Sequence, residues 1–141
     1  MKLINPGTVM PPQGGYSQGI QAGDLIFVAG QVGLDGYGNP SGDAGMAAQT
    51  RQTIANIVAV LAEAGATLGD VVSATVYVKD FSEYKVFDQV WQECFGTHRP
   101  ARATVKAELV HPALLVEVQA IAVRPRWRAP RARANPAGPL A

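Results

Sequence analysis

Sulfur and imidazole are scarce in this chain, which has one cysteine, Cys94, and two histidines, His98 and His111, in 141 residues. A lone cysteine excludes an intrachain disulfide. With no H-E-x-x-H or C-x-x-C spacing, these residues form no recognisable ligand set, so no metal is expected. Phosphate cradles are missing too: there is no G-x-x-x-x-G-K-[ST], and the glycines of "GLDGYGNPSG" lack the dinucleotide spacing and read as a hairpin or loop. The most apolar runs, 54–66 and 113–123, fall far short of a bilayer span, and nothing at the start resembles a signal peptide. A cytoplasmic protein without membrane contact is the default expectation.

Acidic residues are absent from one region. Residues 125–141, "PRWRAPRARANPAGPLA", hold four arginines and four prolines, and taking those four charges from the net +1 leaves the body at −3. A mildly acidic body argues against a nucleic-acid surface spread over the fold, and no specific nucleic acid is expected. The tail reads as a disordered extension, too poor in apolar residues to offset its ordering entropy. The expected organisation is one domain over 1–124 and this tail over 125–141.

What is present begins with a decoy. "GGYSQG" at 14–19 contains Gly15-Tyr16-Ser17-Gln18-Gly19, which matches the G-x-S-x-G nucleophile elbow. That elbow needs a strand before the serine and a helix straight after it. Here three prolines break the upstream segment, and downstream a turn at Ala22-Gly23-Asp24 leads into the apolar "LIFVAGQV". Ser17 is therefore not expected to be a nucleophile.

Two segments carry helical spacing. In the first, Met46, Thr50, Ile54, Ile57, Val58 and Leu61 share a face, Ser41 or Asp43 can cap the start, and Gly65 can close the end in a left-handed conformation. The second, from Ser82 to Gly96, gathers Tyr84, Phe87, Val90, Trp91, Cys94 and Phe95, which makes Cys94 a packed residue rather than a reactive thiol. Around them, "VVSATVYVKD" alternates Val72, Ala74, Val76 and Val78 against polar positions. "RATVKAEL" sets Arg102, Thr104, Lys106 and Glu108 against Ala103, Val105, Ala107 and Leu109, and "ALLVEVQAIAV" is a nearly continuous apolar strand. His111-Pro112 reads as the turn of a hairpin joining the last two strands. The pattern predicts an α+β layer with two helices on one face of a mixed sheet, and self-association through the uncovered face.

Glu117 stands out, because it interrupts an apolar strand where a carboxylate loses hydration unless something meets it. By hairpin logic the nearest cation is Arg102, and such a pair can equally be a structural one that closes a sheet or subunit contact.

Taken together, "RPARATVKAELVHPALLVEVQAIAV", "AGQVGLDGYGNP", "AAQTRQTIANIVAVLAEAG", "VVSATVYVKDF" and "GGYSQG" resemble the Rid (YjgF-type) reactive intermediate deaminases, over about residues 3–125. The most specific likeness is P-A-R-A followed, fifteen residues after its arginine, by the glutamate of V-E-V-Q-A-I-A-V. This resemblance implies a chorismate-mutase-like α+β fold, a homotrimer with sheets facing inward and clefts between subunits, and hydrolysis of 2-aminoacrylate and related 2-imino acids to 2-oxo acids and ammonia without a cofactor. It implies Arg102 as the fork for the substrate carboxylate and Glu117 as the group that activates water and returns a proton to ammonia. Tyr16, reaching across from another subunit, is implied as a cleft residue, with Thr104, Gly30 and Asp88 as further contacts. The chain departs from the family at Ala29, where serine is frequent, at Asp88 for asparagine, at Gln119 for a second glutamate, and in a short "GTHRPAR" loop. Other functions in view are a non-catalytic trimeric carboxylate-binding or chaperone-like protein, a ribonuclease-like activity, and an aminomuconate-type deaminase.

Overall fold

The computed structural model describes residues 1–40 and 45–124. The expected caps Ser41 and Asp43, and the arginine-rich tail, lie outside the described residues. The strands are β1 (Lys2–Ile4), β2 (Gly19–Ala22), β3 (Leu25–Val32), β4 (Val71–Val78), β5 (Ala101–Lys106) and β6 (Val116–Val123), and the helices are α1 (Met46–Glu63) and α2 (Tyr84–Phe95). They form a six-stranded sheet in the order β1-β2-β3-β6-β4-β5, with both helices on one face, as the pattern of segments predicts.

Local chemistry explains the breaks. Gly23 at φ 60° makes the β2–β3 turn, while Gly65 and Gly96, at φ 72° and 62°, follow the two helices in the left-handed region where a side chain is strained. The "GLDGYGNP" segment is a loop tied by Asp35, whose Oδ1 accepts from the Tyr37 and Asn39 amides at 2.9 and 3.0 Å. On α1 the buried stripe runs through Met46, Thr50, Ile54, Ile57 and Leu61, but Val58 is 41% exposed and Val60 takes the inward place. The helix has Gly45 at its N-cap, with no side-chain cap bond.

Every neighbouring pair of strands is antiparallel except β4–β5. A parallel pair needs a crossover, and α2 supplies it. The expected hairpin between the last two strands does not form: β6 lies between β3 and β4, and β5 is the sheet edge beyond β4. The most apolar strand takes the centre, where both neighbours satisfy its backbone, and residues 107–115 carry the chain past β4 rather than turning it back on itself.

Side-chain parity on β5 is also inverted relative to the simple reading. Arg102 and Thr104, register partners of Ala74 and Val76, face the helices, while Ala103 and Val105 are exposed on the open face. On β4, a register shift between Val71 and Ser73 leaves Val72 46% exposed and buries Val71 in the place expected for it. The open face carries Phe27 beside Ile121 and Leu25 beside Val123, with Phe27, Leu25 and Val105 each more than two-fifths exposed. Under the helices the core closes around Ile57, Val76, Phe87 and Val118, none of which reaches solvent. Truncating Ile57 to alanine there costs about 2–5 kcal/mol.

Candidate active site

Two unlike half-sites occupy the two faces of the sheet. The first is at the α2–β5 corner. Arg102 Nη1 pairs with Asp88 Oδ1 at 2.9 Å, and Nη2 donates to the Tyr84 hydroxyl at 2.6 Å. The guanidinium carbon lies 5.1, 5.3 and 5.8 Å from the ring centroids of Trp91, Phe87 and Tyr84, within cation–π range. The helical spacing of these aromatics makes the wall, since positions 84, 87, 88 and 91 share a face of α2. Burial by itself raises the Asp88 carboxyl, but hydrogen bonds from Gln92 and Arg102 and the charges of Arg102 and Arg99 outweigh it and hold the group below its ordinary range. Arg102 is thus fixed while part of its five-donor fork is still open.

The second half-site is on the open face. Glu117 lies beside Val32 of β3 and Tyr77 of β4 in register, and no hydrogen bond or ion pair reaches its carboxylate among the described residues. Desolvation pushes its carboxyl above the ordinary value of 4.5. The carboxylate folds over Gly30: a methyl group on that glycine would stand 2.0 Å from Glu117 Oε1, so only glycine permits this position. Gly30 and Glu117 open onto a cavity of about 570 Å³, together with Tyr16, Ala29 and Gln119. The Tyr16 hydroxyl accepts from the Gln13 amide at 3.3 Å.

Four buried amide side chains hold the walls of this cavity. Gln49 on α1 donates to Ala113 O and accepts from the Leu115 amide, both at 2.8 Å, which pins the segment leading into Glu117. Asn56, two turns along the same helix, donates to Val32 O and Leu34 O at 3.0 Å. Gln31 Nε2 donates to Gln18 Oε1 at 2.7 Å, and Gln18 in turn reaches Met10 O, which ties the Tyr16 loop to β3. Polar groups this buried stay only where partners are fixed, so the network rigidifies the loops it bonds.

Of the residues expected at the site, the structure gathers Tyr16, Gly30 and Glu117 in one place and Arg102, Asp88 and Thr104 in another. Arg102 and Glu117 do not meet within one chain, because β4 separates their strands and their side chains take opposite faces. Ser17 lies in the loop before β2, followed by a strand and not a helix, so the elbow geometry is absent. Cys94 is partly buried against the core, and desolvation raises its thiol, as suits a packed residue. Sequence reasoning missed Tyr84 as a partner of Arg102, along with the four amides. Gln49 and Asn56 had left a signal: they sit seven residues apart on the apolar face of α1, where an amide needs a reason to be.

Among the described residues there is no cluster of metal-ligating side chains, and no helix is long and apolar enough to cross a membrane. A family model described as Endoribonuclease L-PSP matches residues 7–124. The chain is 42% identical to a RutC family protein of Pyrococcus abyssi, over 80% of this chain and 89% of the relative. It is 35% identical to the 2-iminobutanoate/2-iminopropanoate deaminase of Escherichia coli, over 79% and 88%. The crystal structure of E. coli TdcF with bound serine superposes with a TM-score of 0.82 at 27% identity, covering 89% of this chain and all of that one. With the fold, the extent of the match and the identities in agreement, the chain belongs to the Endoribonuclease L-PSP family, the group that includes YjgF, RutC and RidA.

Proposed function

We propose that this protein hydrolyses reactive enamine and imine intermediates, 2-aminoacrylate and related 2-imino acids, to 2-oxo acids and ammonia. In this reading it works as a homotrimer whose sites are shared between copies. The observation that carries the proposal is Glu117, a desolvated carboxyl with no pairing partner among the described residues, held over Gly30 at the wall of a cavity. A carboxyl whose charged form is disfavoured by desolvation accepts a proton more readily than an ordinary glutamate, which suits it to act as base and then acid. The deaminase name of the E. coli relative and the serine bound to TdcF support a small amino-acid-like ligand.

The division of labour follows from the half-sites. Arg102 of one copy takes the substrate carboxylate on the open donors of its fork, with Asp88 and Tyr84 keeping the guanidinium plane fixed. Glu117, Gly30 and Tyr16 of the next copy surround the imine carbon. An enamine first gains a proton at its terminal carbon and becomes the iminium. Glu117 then takes a proton from water as its oxygen bonds to the iminium carbon, and returns that proton to nitrogen. The carbon–nitrogen bond breaks, the electron pair leaves with ammonia, and the carbonyl forms as the hydroxyl proton is lost. Thr104, next to Arg102 on the same face of β5, lines the carboxylate end.

The test is ammonia release from imines made in situ by an amino-acid oxidase. Wild type should accelerate it, and Arg102→Ala should lower kcat/KM by at least about a thousandfold, since a charge-assisted bidentate contact and its orientation are both lost. Equal rates for the two proteins remove the proposed site.

A further inference from the structure

The apolar pattern of β3 and the register it adopts disagree. Up to Val28 the strand runs straight against β6, with Leu25 opposite Val123 and Val28 opposite Ala120. Continued without interruption, that pairing would set Gln31 opposite Glu117 on the open face and Val32 opposite Val116 under the helices, because side chains alternate at a period of two. The strand instead carries one extra residue between Val28 and Gln31, so Gln31 falls opposite Val118 and Val32 opposite Glu117. The bulge takes a glutamine into the core, where it is 3% exposed, and leaves Val32 only half-buried.

Apolar burial favours the straight register, so polar bonds must hold the bulged one. Both Nε2 hydrogens of Gln31 are used, on Gln18 Oε1 at 2.7 Å and on the Ala29 carbonyl inside the bulge at 3.1 Å. Gln18 is buried as well, donates its own side-chain amide to Met10 O at 2.7 Å, and accepts at its backbone carbonyl from the Ala29 N–H at 2.9 Å. Without Gln18, the Gln31 amide would keep a place in the core with its best acceptor gone, at the full cost of desolvation.

The register decides what Glu117 meets. In the straight pairing the Gln31 amide would lie directly across from the carboxylate, within reach to donate to it, and Gly30 would turn toward the helices. In the bulged pairing the amide is on the other side of the sheet and Gly30 lies beneath the carboxylate. Gln18 and Gln31 line a small chamber with Asn56 of α1, away from the open face, and both strands and both amides belong to one chain.

We infer that Gln18 and Gln31 are positioning residues for Glu117: as a pair they hold β3 in the bulged register, which withholds the Gln31 amide from the carboxylate and sets Gly30 beneath it. The kinetic consequence rests on the deaminase reading above, whereas the register is a property of the fold.

The experiment uses the full chain and the imine made in situ from alanine by an amino-acid oxidase. Gln18→Met should lower kcat by at least about tenfold, because a carboxylate that accepts from Gln31 is a weaker base. KM should stay within about threefold, since the substrate carboxylate is assigned to Arg102 on β5. Adding Gln31→Met, which removes the orphaned amide and puts an apolar group of the same length in the core, should bring kcat back to within about threefold of wild type. A loss that came only from a damaged core would deepen with this second substitution. Nuclear Overhauser contacts of the Gln31 side-chain amide should run to Gln18 in wild type and to Glu117 in Gln18→Met. If Gln18→Met does not fold, Gln18→Asn, whose amide falls a methylene short, has the same expectations. An unchanged kcat in the single variant, a double variant no better than the single, or a Gln31 amide that stays in the core overturns the inference. A wild type that hydrolyses no imine, with the amide contacts moving as expected, overturns the deaminase reading and leaves the register pair standing.

Discussion

The α2–β5 corner and the Gly30–Glu117 wall treat their charged groups in opposite ways. Arg102 has a carboxylate and three aromatic rings around it, one of them the Tyr84 phenol, whereas Glu117 has no side-chain partner among the described residues and a backbone glycine beneath it. An arginine so tied loses little further entropy when a carboxylate arrives, so binding there is prepaid. A carboxyl left bare is a destabilised group, and folds keep such groups where chemistry uses them. Neither half is a site alone. In the proposed reaction, one supplies the cation for the substrate carboxylate and the other supplies the acid–base group.

That asymmetry predicts complementation. Arg102→Ala and Glu117→Gln should each be inactive, because each destroys one half-site in every copy. If the proposed trimer forms, unfolding and refolding the two together gives mixed assemblies that pair an intact arginine corner with an intact glutamate wall. Activity should then return to roughly a quarter of wild type, the fraction of interfaces that draw each half from the right parent. A mixture as dead as its components would mean that the halves do not combine across copies.

Within the glutamate half, the smallest residue has the largest leverage. Gly30→Ala places a methyl group 2.0 Å from Glu117 Oε1, and backbone on both sides of β3 leaves the carboxylate as the part that must swing away. We expect kcat to fall by about a hundredfold or more, as for displacement of a positioned general base, with the circular dichroism of the fold retained. A comparable loss after Ser17→Ala, which is expected to change the rate by less than twofold, would revive the nucleophile-elbow reading.

The contrast also marks what could be read from the residues alone. Element types follow from periodicity, and Gly65 as the left-handed close of the first helix from its place just after the periodic segment, because those depend on neighbours within a turn or two. Glu117 as an anomaly was legible for the same reason: a carboxylate in "LLVEVQAIAV" contradicts its own strand. What failed was pairing. A turn signal at His111-Pro112 says that the chain can reverse, not which strand lies alongside, and β6 gains two ladders by entering the centre where a hairpin with β5 would give one. The parity of β5 failed with it: Arg102 looks solvent-facing until α2 brings Tyr84, Phe87 and Trp91 over it. Gly30 entered only through the family resemblance, and its place beneath Glu117, the approach of a carboxylate from a strand more than eighty residues away, is purely tertiary.

The smallest expected effect tests whether Glu117 is held at a cost to the fold. Its folded carboxyl titrates above the ordinary 4.5, so over the interval between 4.5 and the raised value the native state binds more protons than the unfolded chain. Stability must fall as pH climbs through that interval, and the cost persists above it. Glutamine has the same shape and no charge to desolvate. In an Arg102→Ala background, where no guanidinium from a neighbouring copy can offset the charge, adding Glu117→Gln should raise the melting midpoint at pH 8 and leave it unchanged well below pH 4.5. With Arg102 present, the gain at pH 8 should shrink, because the intact corner of the adjoining subunit then faces the carboxylate it is proposed to serve. A gain that is the same at both pH values would mean that glutamine simply packs better, and that the bare carboxyl carries no electrostatic penalty.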